Sequence, residues 1–101
     1  MPVLVDGRWQ GPTAAGLCKT ADLSLGGCFV RTASSPAIEE PVLVTLFFAR
    51  RGAMPLPGHV VRVEPGLGFA VRFDDMRQET RYRLGEEITQ IRRRTPPTLL
   101  P

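Results

Sequence analysis

HVVRVEPGLGFAVRF, His59 to Phe73, holds two extended runs about a four-residue turn, and the fold follows from how it is read. Phe69, Val71 and Phe73 point one way and Ala70 and Arg72 the other, the period-two pattern of a strand with one buried face. In the preceding run Val61 and Val63 are expected to share a face, and Pro65-Gly66-Leu67-Gly68 supplies the turn, so the pair reads as an antiparallel hairpin. Beyond Phe73 the period changes. Met76, Thr80, Leu84, Ile88 and Ile91 follow at spacings of four and three, which predicts an amphipathic helix from about Met76 to Arg93. Asp75 is the expected N-cap, with Asp74 beside it and Gln78 three residues on in a capping-box arrangement. Arg92, Arg93 and Arg94 complement the dipole at the other end. Gly85 costs about 1 kcal/mol against alanine, and close packing on the sheet is its expected return.

Working back toward the N-terminus, ten glycines and ten prolines cut the chain into short segments, as in a small β-protein. Val42 to Phe48 is apolar at nearly every position and is expected to be a central strand covered on both sides. Met54 to Gly58 reads as a lead into the His59 strand. Val3 to Trp9 is a candidate strand interrupted at Asp6-Gly7, and Gly11 to Gly16 reads as a loop. Leu17 to Leu23 is expected to be extended, with Cys18, Thr20, Asp22 and Ser24 on one face. Gly26-Gly27 turns the chain and Cys28 to Thr32 returns. The fold class is mainly β: about six antiparallel strands and a C-terminal helix, with closure into a barrel removing the exposed edges. Residues 1–95 form one domain and 96–101 a frayed tail.

The composition excludes several classes of function. No apolar run among the 101 residues approaches the roughly 20 that a membrane-spanning helix needs, and the N-terminus lacks the pattern of a secretory signal, so the expected location is the cytoplasm. Cys18 and Cys28 are expected to be buried thiols and, with His59, do not make a metal-ligand pattern. Gly-x-Ser-x-Gly, a P-loop lysine and a Cys/His constellation are all missing, which argues against an enzyme and against a resident cofactor. A net charge of +3 permits an anionic partner. For single-stranded nucleic acid the footprint is thin: Trp9, Tyr82 and one of Phe47 or Phe48 are available for stacking, and the arginines scatter.

Asp22-Leu-Ser24-Leu-Gly-Gly27 remains. Read locally, it is a corner in which Ser24 and the glycines turn the chain and Asp22 bonds nearby backbone. It also matches (Asp/Asn)-x-Ser-x-x-Gly in a strand-turn-strand setting. With the return strand from Gly27, the Val42-Leu-Val-Thr-Leu strand, Gly58-His-Val-Val-Arg-Val and Gly68-Phe-Ala-Val-Arg-Phe before a terminal helix, the chain resembles the PilZ domain family of bacterial cyclic di-GMP receptors and adaptors. The resemblance implies a six-stranded barrel with a C-terminal helix and a nucleotide site on its outer surface. In it, Asp22, Ser24 and Gly27 contact cyclic di-GMP together with an Arg-x-x-x-Arg segment before the first strand. A carboxylate can accept the N–H donors of a guanine edge, and arginines neutralise phosphate. No Arg-x-x-x-Arg occurs between Met1 and Asp22, where Arg8 has Pro12 four residues on. Arg8, Arg31, Arg62 and Arg72 are the auxiliary candidates.

Three readings stay open. In the first the chain is a non-enzymatic signalling module with half of the nucleotide site retained, binding cyclic di-GMP weakly or with arginines from a partner. In the second it is an adaptor acting only through contacts with motility, secretion or regulatory proteins. Nucleic-acid binding by a basic barrel ranks last.

Overall fold

Alternating apolar residues build strands wherever one face can be buried, and here six such segments close on one another. The computed structural model describes residues 4–94, with β1 at Val5–Gln10, β2 at Ala15–Ala21, β3 at Gly27–Arg31, β4 at Pro41–Phe48, β5 at Gly52–Glu64, β6 at Gly68–Phe73 and α1 at Gln78–Arg94. The strands form a closed antiparallel barrel in the order β1-β2-β3-β6-β5-β4, with β1 pairing β4 to complete it. The expected frayed tail lies outside the described residues.

Phe69, Val71 and Phe73 face the interior, as their alternation predicts, with Val30 and Val60 beside them. Trp9 is also inside, 1% exposed and edge-on to Phe69 with ring centroids 5.0 Å apart, so it is no stacking platform. The Asp6-Gly7 pair does not interrupt β1: Val5, Gly7 and Trp9 point inward, and Asp6 points out toward Lys19. Ala15 and Gly16 belong to β2, where they pair Gln10 and Trp9.

β4 is buried on one face only, because among the described residues no layer covers the barrel's outside there; Leu43 and Phe47 are exposed. β5 is longer than expected and takes in Pro55 and Pro57. They are tolerated because β6 pairs β5 only from Gly58 onward, so the missing N–H groups fall where the ladder to β6 has not begun. Val61 and Val63 do not share an environment. A register shift between Val60 and Arg62 leaves Val61 exposed and returns Val63 to the core's margin.

α1 starts at Gln78, two residues later than the periodicity predicts, and the Arg77 carbonyl accepts its first turn's bond from the Arg81 N–H at 2.9 Å. Asp75 is therefore not the cap. Asp74 is held elsewhere: its N–H bonds the Pro57 carbonyl at 2.9 Å and its carboxylate lies 3.2 Å from His59 Nδ1. The apolar stripe itself is as predicted, with Leu84 and Ile88 in the core and Met76 and Ile91 at its edge. Arg51, from the β4–β5 turn, clamps the helix by binding the nearly buried Glu87 at 2.9 Å and also Glu86. Cys18 and Cys28 are free thiols. Burial, and then the neighbouring Cys18, pushes Cys28 up to about 12; burial, and then Asp6, pushes Cys18 up to about 11.

Candidate functional site at the β2–β3 corner

A strand carries its side chains alternately, so Asp22 and Ser24 would share a face only if β2 continued through them. It does not. β2 ends at Ala21, and Asp22 takes a left-handed conformation with φ at 52°, a region that aspartate enters more readily than most residues. Thr20 then points into the barrel and donates to the Val5 carbonyl at 3.1 Å, while Asp22 is exposed. The corner's own hydrogen bonds are made by Ser24. Its N–H donates to the Gly27 carbonyl at 2.9 Å, and its Oγ accepts from the Gly26 N–H at 3.2 Å. Among the described residues the Asp22 side chain has no partner, so the bond to local backbone expected of it is not made.

Gly27 sits where β3 and β6 come closest. A Cβ there would lie 2.0 Å from the Val71 carbonyl oxygen, so its missing side chain serves strand pairing rather than an open surface. The same pairing places Gly27 opposite Arg72, and the Phe73 N–H bonds the Gly26 carbonyl at 2.8 Å. Arg72 alternates with the inward Val71 and Phe73 and is exposed. Of the four auxiliary arginines it is the one that the sheet register sets against the motif.

The others are elsewhere. Arg31 is at the far end of β3, four residues or about 13 Å along the strand from Gly27, in a shallow surface with Asp6, Leu17 and Phe47. Arg8 lies across from Leu17 and Thr45 on the outer face of β1. Arg62 is engaged, with Nε 3.0 Å from Glu64 and its guanidinium 6.0 Å from the centre of the Phe29 ring.

One feature at this corner has no counterpart in the motif. A groove of about 850 Å³ runs between Ser24-Leu25 and the face of α1 bearing Arg81, Gly85, Arg92 and Arg93. Its visible trace in the sequence is a cation in the first turn of a helix and a glycine at the helix centre, each unfavourable on local grounds.

A barrel in this strand order, closed by a C-terminal helix and with the motif at the β2–β3 corner, invites comparison with known proteins. A sequence profile for the PilZ domain matches residues 1–90. The chain belongs to the PilZ domain family. Four chains among solved structures match it. One is the crystal structure of the PilZ domain of CeSA from a cellulose-synthesizing bacterium, with a TM-score of 0.72 at 16% identity over 91% of this chain and 96% of that one. No curated protein matches. PilZ domains are binding modules of bacterial cyclic di-GMP signalling, and the barrel described above is the PilZ fold. No helix among the described residues of this PilZ domain is long and apolar enough to cross a membrane.

Proposed function

We propose that this PilZ domain is a non-enzymatic cytoplasmic module that binds cyclic di-GMP at the β2–β3 corner, weakly or with a partner's help. The observation that carries the reading is Asp22. An exposed carboxylate with no partner among the described residues is left open to a ligand, since Ser24 makes the corner's hydrogen bonds. Such a group can accept the N1–H and N2–H donors of a guanine edge, and Arg72, across from Gly27, can pair a phosphate or the O6/N7 edge. In this arrangement Ser24 and Gly27 shape the corner, and Asp22 and Arg72 make the charged contacts.

Titration calorimetry with cyclic di-GMP tests this directly. Heat is expected at micromolar ligand. Asp22→Ala removes a charge-assisted interaction of about 1.5–3 kcal/mol and should weaken binding about ten- to a hundredfold, with a comparable loss for Arg72→Ala. An unchanged affinity in Asp22→Ala would place the ligand away from the corner.

A second reading has its own observation. Leu17 is 77% exposed and shares a surface with Phe47, 38% exposed, and with Lys19 and Arg31, a mixed apolar and basic patch on the barrel's outside. If folded protein gives no heat with cyclic di-GMP, an adaptor working through protein contacts on that patch becomes the better account.

A further inference from the structure

Local rules put acidic residues in the first turn of a helix and good helix formers at its centre, and departures from such rules gather where function has overridden them. α1 departs twice on one face. Arg81 closes the first turn, where Glu79 keeps the rule and the arginine opposes the helix dipole, and Gly85 lies near the middle. Packing does not demand the glycine, because a Cβ at position 85 would meet only Leu25 Cδ2, at 3.8 Å, an ordinary contact. Both residues line the groove whose other wall is Ser24-Leu25.

The spacing explains the pair. Residues 81, 85 and 92 fall on one helical stripe, with Arg81 four residues and Arg92 seven residues from Gly85, about 6 and 10 Å along the axis. The missing side chain leaves a gap opposite the corner, with a guanidinium on either side of it. Among the described residues, Arg81, Arg92 and Arg93 have no carboxylate partner, whereas Glu86, the one acid in the groove, is bound by Arg51. Glu86 also accepts the Tyr82 hydroxyl, which together with its charge raises that phenol's pKa and leaves the ring of this 67% exposed tyrosine beside the groove. The groove is thus cationic and open, and its far wall, Ser24-Leu25, belongs to the same corner as Asp22.

We propose that α1 supplies phosphate-binding cations to this domain in addition to Arg72: Arg81, with Arg92 and Arg93, pairs the dinucleotide's phosphates, which lie over Gly85. This rests on the reading that cyclic di-GMP binds at the corner. It adds that the terminal helix is part of the site rather than only a cover for the core.

The test is calorimetry of cyclic di-GMP with the full chain and two variants chosen to stay folded, their circular dichroism and melting checked alongside. Arg81→Ala/Arg92→Ala removes cations from exposed positions. Gly85→Gln fills the gap with a better helix former and leaves every charge in place. Each is expected to lower affinity at least tenfold. Binding that persists in either variant while Asp22→Ala loses it would overturn the role of α1 and leave the corner site standing. Absence of binding to the unchanged protein would overturn both.

Discussion

At the scale of single residues, the motif separates into parts with different physical tasks. Asp22 is exposed and unpartnered among the described residues, Ser24 is spent on the corner, and Gly27 is required by a neighbouring backbone. The motif was legible in the sequence, but this division of labour was not. The resemblance implies a ligand contact at Gly27, and only the β3–β6 register shows that the Val71 carbonyl already occupies the side a Cβ would take. Gly27→Ala should therefore fail through stability. A Cβ 2.0 Å from a backbone oxygen forces the strands apart, and urea denaturation is expected to show a loss of about 3 kcal/mol or complete unfolding. A variant as stable as the parent would show that the corner can shift.

At the scale of elements, the hairpin and the helical stripe follow from periodicity, and the errors fall where pairing partners matter. The prolines of β5 argue against a strand until it is seen that β6 begins to pair only at Gly58. The start of α1 is displaced because Asp74, which precedes the helix, is drawn to β5 by the Pro57 carbonyl and His59. Arg51 and Glu87 form the least legible contact, since 36 residues separate them and nothing local relates them. Arg51→Ala leaves the carboxylate of Glu87, 7% exposed, without its cation and should cost about 1–2 kcal/mol, a figure reduced because Arg51 is itself one-third exposed. The same substitution made on a Glu87→Ala background should cost much less, and the difference measures the clamp in a double-mutant cycle. Equal costs in both backgrounds would mean that apolar packing alone seats the helix.

At the scale of the molecule, barrel and helix share one core, since Leu84 and Ile88 are continuous with the residues around Trp9 and Phe69. Unfolding should accordingly be a single transition. The fluorescence of Trp9, the chain's one tryptophan, and the helical circular dichroism are expected to change at the same denaturant concentration; helix loss ahead of the tryptophan change would make α1 a separately melting cover. The hydrophobic alternation, the turn residues and the four-three spacing were sufficient by themselves to determine six strands, one helix and their order, because those signals are local and repeat within each element. What only the tertiary structure decided is which residues face one another across elements: Trp9 inside rather than out, Arg72 beside Gly27, Arg51 on Glu87, and the α1 arginines along the corner groove. Those placements depend on strand register, barrel closure and helix docking, each set by burial and hydrogen bonding summed over segments far apart in the chain.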